Sequence, residues 1–186
     1  AACEKKEYAK AADFFQEAVR LRPDVATFHN NLGRTWYWMT EYDMALEELK
    51  EAARLDGKDA GARANLGDVY RQKENYLEAV RYYHEALQLD PNQARVHYEL
   101  GNLYLKRNEF ESAEHRLNKA LGIDPAFDKA LLARAVLYHM TQRDPQAWAD
   151  IQALEKRGLD VAADLKRSVL EGVDKARAKK RYRPGK

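Results

Sequence analysis

Residues 65–70 read Asn65-Leu66-Gly67-Asp68-Val69-Tyr70, and the same frame recurs in the segments NLGRTW at 31–36 and ELGNLY at 99–104. The glycines Gly33, Gly67 and Gly101 are 34 residues apart, and one more step lands on Ala135, another small residue. Three places after each small residue stands Trp36, Tyr70, Tyr104 or Tyr138. Other columns keep the same period. Alanine fills Ala11, Ala45, Ala79, Ala113 and Ala147, and again Ala18, Ala52, Ala86 and Ala120. Large apolar residues run through Phe15, Leu49, Tyr83, Leu117 and Ile151, and aromatic ones through Tyr8, Tyr42, Tyr76 and Phe110. Pro23, Pro91 and Pro125 close three units, with Gly57 in the equivalent place of another. So many columns on one period mark a stack of supersecondary units, each burying its apolar face on its neighbours.

Within a unit the apolar spacing is helical, and the small residues let two antiparallel helices approach closely. The pattern predicts helix pairs at 26–39 with 42–56, 60–73 with 76–90, 94–107 with 110–124, and a weaker pair at 128–140 with 145–157. Pro or Gly stops each second helix. Asp144-Pro145 reads as a helix start, with aspartate as cap and proline in the first turn.

The repeat length, the glycine-centred segments and the endings ALQLDP and ALGIDP resemble the tetratricopeptide repeat (TPR) family over residues 1–157. The resemblance implies an all-α, TPR-type α-α superhelix, a right-handed solenoid of helix hairpins. The units are a partial repeat at 1–25 (the second helix of a truncated unit), repeats at 26–59, 60–93 and 94–127, and a degenerate repeat at 128–158. In that last unit Arg134 replaces the leucine and Ala135 the glycine. Gly158 then ends the repeats, Asp160 can cap a new helix, and Leu165, Val169, Val173 and Ala176 give it one apolar face. This predicts a C-terminal capping helix at 159–180, covering the final apolar surface, before a basic tail at 181–186.

The bulk composition bounds function. The chain has 186 residues, 33% of them charged, with 32 basic against 30 acidic. That balance gives no concentrated basic face of the kind a nucleic-acid binder shows; the basic end has two readings, a contact for acidic lipids or nucleic acid and a solvated terminus, of which the second is expected. No apolar run is long enough to span a membrane. Cys3 has two readings. Ala1-Ala2-Cys3 can end a bacterial lipobox, making Cys3 a lipidation site and the chain a periplasmic lipoprotein; or the segment continues a truncated repeat in a cytoplasmic or periplasmic protein.

No nucleotide-binding glycine loop, zinc pattern or cofactor motif is present, so no catalytic, metal or cofactor residue is expected. His29 and His97 share a column that packs between helices and read as structural. His84 and His115 read as solvated, as do Glu47 and Glu48, while His139 is a candidate for the groove.

In the family resembled, the first helix of each pair lines a concave groove. Its inward residues here are Asn30, Asn31, Arg34, Tyr37 and Trp38; then Asn65, Asp68, Arg71 and Gln72; then Arg95, Tyr98, Glu99, Asn102 and Lys106; then Lys129, Leu132, Val136, His139 and Met140. Asn suits a peptide backbone, Arg a carboxylate, and Tyr or Trp an apolar side chain. Arg34, Asn65, Arg71, Arg95, Tyr98, Asn102 and Lys106 are expected to share one strip, with an anchor near Tyr37 and Trp38 and Trp36 buried separately. The expected partner is a protein or peptide of acidic character. Chaperone-binding members carry a carboxylate clamp; Asn65 and Arg95 match it, but Asn30, Arg34 and Glu99 do not, so chaperone C-terminal tails are not expected ligands. The function expected is a non-enzymatic protein–protein interaction scaffold. A lipid-anchored envelope assembly factor and a non-catalytic subunit of an enzyme complex are the alternatives. Self-association through an exposed apolar end is compatible with all three.

Overall fold

The computed structural model describes residues 2–181, with side chains described for residues 7–176. Cys3 and the basic tail therefore lie outside the described side chains. Among the described residues the chain is all helix: α1 (Ala2–Leu21), α2 (Ala26–Trp38), α3 (Tyr42–Leu55), α4 (Ala60–Gln72), α5 (Tyr76–Leu89), α6 (Ala94–Lys106), α7 (Phe110–Ile123), α8 (Asp128–Met140), α9 (Asp144–Lys156) and α10 (Ala163–Arg181). They fall into two compact units, residues 1–92 and 93–186.

In the first unit α1 packs on α2, and α2–α3 and α4–α5 are antiparallel hairpins laid side by side. The columns make the contacts. Leu49 lies over Gly33 so closely that a Cβ there would stand 2.6 Å from its Cγ. Tyr83 lies over Gly67 in the same way, with 2.6 Å to its ring. Leu32, Trp36, Ala45, Leu49, Leu66 and Val69 form one buried cluster, with Phe15 and Tyr42 packed against it. Trp36 sits inside it, as its column implies.

In the second unit α6–α7 and α8–α9 repeat the arrangement, with Leu117 closing over Gly101, and α10 packs on α9. Ala113, Leu117, Ala130, Leu137, Ile151 and Leu154 carry the core, which Val161, Val169 and Val173 extend onto α10. The column leucine missing at 134 is replaced by a charge pair. The Arg134 guanidinium donates to both carboxylate oxygens of Asp150, at 2.9 and 2.8 Å. That pairing raises the guanidinium pKa against the opposing effect of burial.

The turn inside each hairpin follows one recipe. Thr40, Glu74, Asn108 and Gln142, again 34 apart, have φ of 66°, 58°, 57° and 58°. The next residue's N–H reaches back to the aromatic column, Glu41 to the Trp36 carbonyl, Asn75 to Tyr70 and Glu109 to Tyr104, each at 2.9 Å. This left-handed closure satisfies carbonyls that the helix end would orphan. It uses no glycine, so each turn holds a side chain in a conformation that costs an L-residue about 1–2 kcal/mol.

Two helix starts differ from expectation. Asp144 is the first residue of α9 and its N-cap is Arg143, with no side-chain cap bond; the Asp144 carboxylate turns to His139 instead. Asp160 does not cap α10, which begins three residues later; its carboxylate accepts from Lys166 Nζ at 3.4 Å. Asp59 and Asn75 do cap, accepting from the Ala62 and Glu78 N–H groups at 3.0 and 3.4 Å.

Candidate partner-binding surface

On the first unit, α2 and α4 lie next to each other and meet along one seam. Asn65 Nδ2 donates to Asn30 Oδ1 at 2.8 Å, and Gln72 Nε2 donates to the Tyr37 hydroxyl at 3.0 Å. These bonds join the two helices near both ends of the seam. They also fix which atoms face outward: an amide that gives one hydrogen keeps a second donor and its own carbonyl for another partner. Asn31 is half-buried, its backbone carbonyl taken by Thr35 Oγ1 at 2.8 Å. Arg34 is exposed and Arg71 half-buried. Asp68 accepts from the buried Tyr83 hydroxyl at 2.7 Å, so one of its oxygens serves the hairpin rather than the surface.

At the end of α2 stands an aromatic group. Trp38 is 57% exposed, a large apolar face open to solvent. Tyr37 meets it edge-on with ring centroids 5.1 Å apart, and Tyr8 of α1 lies nearly parallel to it, centroids at 6.4 Å. Tyr42 adds a tilted contact to Tyr37 at 6.0 Å. Tyr8 and Tyr42 are additions to the sequence-predicted site. Both were visible in the aromatic column, but nothing in the period pointed them at Trp38.

The second unit presents a different face. On α6, Arg95 and Lys106 are exposed, Glu99 and Asn102 half-buried, and Tyr98 rests on Phe127 at 5.0 Å. On α8, Lys129, Leu132 and Met140 are exposed and Val136 is half-buried. His139 is half-buried, its two ring nitrogens within hydrogen-bond distance of Asp144 and Ser168.

Histidines and acids elsewhere sort as follows. His29 is buried, bonded to Glu48 at 2.7 Å and to the Pro23 carbonyl at 3.0 Å. Glu48 is thus turned inward to a histidine and is not the solvated residue the sequence suggested, whereas Glu47 is exposed. His97 is buried, His115 exposed, and His84 half-buried rather than solvated. The Arg143 guanidinium, gripping Glu114 at 2.8 and 3.0 Å, holds that carboxyl below its usual range. Among the described residues no group of His, Cys, Asp and Glu could hold a metal ion. Among the described residues no helix is long and apolar enough to cross a membrane.

Two family models match the sequence: TPR repeat over residues 67–107 and tetratricopeptide repeat over residues 98–165. No curated protein matches it. Among solved structures the chain is similar to YrrB, described as a TPR protein with an unusual peptide-binding site, at 23% identity and a TM-score of 0.73, covering 89% of this chain and 92% of that one. It is also similar to MamA, at 20% identity and a TM-score of 0.71, covering 94% of each chain. A second MamA structure matches at 21% identity and 0.70, covering 86% and 91%. These likenesses show a shared helical-repeat fold. With the 34-residue period packed as hairpins and two repeat models matching from residue 67 to residue 165, the chain belongs to the tetratricopeptide repeat family.

Proposed function

We propose that the chain is a protein–protein interaction scaffold whose first unit grips a segment of a partner protein along α2 and α4. Repeat stacks of this family serve in general as non-catalytic scaffolds for protein or peptide partners, which supports the class of function. The observation that carries the finer reading is Trp38. An indole 57% exposed, held in place by Tyr37 and Tyr8, is a rigid apolar anchor available to a ligand. Such a face brings contact area at low entropy cost, and Trp and Arg are the residues that dominate binding energy at interfaces.

The chemistry around the anchor selects the ligand. Asn30 and Asn65, already bonded to each other, offer their remaining amide groups to an extended backbone. Arg34 and Arg71 outnumber Asp68, one of whose oxygens is occupied by Tyr83. The segment that fits carries acidic side chains beside one large apolar residue. Charge contacts at this exposed rim are screened, so affinity falls as salt rises.

The test is a partner captured from extract of the source cell on the immobilised chain, identified, and titrated by calorimetry. Trp38→Ala and Arg71→Ala each weaken binding by at least about tenfold, as hot-spot truncations do. If both variants bind the partner as the parent does, α2 and α4 are not the surface it uses.

A further inference from the structure

Outside the residues proposed above, three side chains from three helices meet in the second unit. His139, in the last turn of α8, stands between Asp144, which opens α9, and Ser168 in the second turn of α10. Its Nδ1 is 2.5 Å from Asp144 Oδ1 and its Nε2 is 2.9 Å from Ser168 Oγ. A carboxylate only accepts, so Nδ1 carries the hydrogen. The neutral ring then has its lone pair on Nε2, and the serine hydroxyl donates to it. This is the tautomer and the hydrogen-bond order by which an imidazole removes a proton from a hydroxyl. Exposure is graded along the relay: Asp144 is buried, the His139 side chain is 30% exposed, and Ser168 is open to solvent.

The neighbouring positions fit the same use. A Cβ at Gly172 would lie 1.9 Å from Asp144 Oδ2, so the absence of a side chain there lets α10 close on the carboxylate and bring Ser168 to the ring. Val136 and Leu132 precede His139 by one and two turns of α8, laying an apolar strip that ends at the relay. We propose that Ser168 is an acyl-accepting nucleophile, with His139 as its general base and Asp144 as the group that orients the imidazole. The substrate class is an activated ester of an apolar acyl group, its chain lying along Leu132 and Val136.

In the acylation step Ser168 Oγ bonds to the acyl carbon while its proton passes to His139 Nε2. The bond from that carbon to the leaving oxygen breaks, and the His139 proton goes to the departing alcohol. Water then repeats the sequence on the acyl-serine and releases the carboxylic acid. The Ser168 amide belongs to the hydrogen-bond ladder of α10 and is not aimed at the developing oxyanion. One such donor is worth roughly 10²–10³ in rate. Acylation and hydrolysis of the acyl-serine both pass through such an oxyanion, so both steps are slow.

The full chain is treated with a fluorophosphonate and, separately, with p-nitrophenyl butyrate, and adducts are located by peptide mass mapping. The expected result is one adduct, on Ser168, absent in Ser168→Ala and formed roughly 10²-fold more slowly or worse in His139→Gln. Gly172→Ala removes no reacting group and slows labelling by displacing α10. Circular dichroism and thermal melting of each variant separate chemistry from folding. Labelling of the parent at other residues, or no labelling at all, overturns the proposal. So does a His139→Gln variant that melts earlier yet labels at Ser168 at the parental rate, because the relay would then only dock α10.

Discussion

In the hairpin of α4 and α5, Leu66 and Gly67 occupy the central columns and the Tyr83 ring lies directly on the glycine. In the hairpin of α8 and α9 the same columns hold Arg134 and Ala135, and Ile151 stands where Tyr83 does. The second hairpin keeps the geometry with different chemistry. A smaller opposing residue leaves room for the methyl of Ala135. The lost leucine becomes a guanidinium, and Asp150, 93% buried, supplies the compensating carboxylate. Asn118 accepts a further bond from Arg134 at 2.8 Å, and Arg143, Arg157 and His139 are tied to Glu114, Asp128 and Asp144. The family's helix pair therefore tolerates loss of its signature residues when the partner across the hairpin changes with them. Both hairpins carry an ion pair between their helices, Arg63 with Glu85 at 3.2 Å in the first, but only the second sets a charge in the leucine column itself.

That contrast is broken most sharply at Asp150. Removing it by Asp150→Ala leaves a largely buried guanidinium without its carboxylate, which costs on the order of 3 kcal/mol. Replacing both partners by leucine removes the charge problem altogether, and the double variant unfolds within about 1 kcal/mol of the parent. Urea unfolding measures both. An Asp150→Ala variant with the parental midpoint would show that the pair contributes nothing to the hairpin.

A smaller effect is expected on the other side of the comparison. Gly67→Leu drives a side chain into the Tyr83 ring, which is fully buried and hydrogen-bonded to Asp68, and overpacking of this kind costs about 1–3 kcal/mol. A second change at the opposing position, Tyr83→Ile, recreates the Ala135–Ile151 arrangement and accommodates Gly67→Ala. A melting midpoint unmoved by Gly67→Leu would mean that the two helices do not meet at that column.

The smallest effect concerns the turns both hairpins share. Thr40 is β-branched and holds φ at 66°, so Thr40→Gly relieves strain and raises stability by up to about 1 kcal/mol. Asn108, a residue that adopts this conformation more readily, gains less from the same change. Equal gains at both positions would remove side-chain strain as the cause.

What the sequence made legible was what it repeats. Gly33, Gly67 and Gly101 identified the close helix contacts, Trp36 its buried place, and His29 its structural role. A column is read several times over, so one departure does not hide it. Features that occur once had no such support. Glu48 turns inward because His29 happens to lie opposite, and His139 is engaged by a serine 29 residues away on a helix that begins later than expected. The left-handed turns do recur with the period, but Thr40, Glu74, Asn108 and Gln142 share no residue type, so only backbone geometry reveals them. At the surface, the columns named Asn30, Arg34, Trp38 and Asn65. They did not show that the two asparagines bond to each other, or that Tyr8 would brace the indole.

The central claim is that a partner docks on the Trp38 end of the first unit, and fluorine NMR of the chain labelled with 5-fluorotryptophan tests it most directly. The chain has three tryptophans, Trp36, Trp38 and Trp148, which single Trp→Phe variants assign. On titration with the captured partner, the Trp38 resonance moves and saturates with binding while those of buried Trp36 and of Trp148 in the second unit stay in place. A partner that saturates the chain while Trp38 stays and Trp148 moves would contradict the claim.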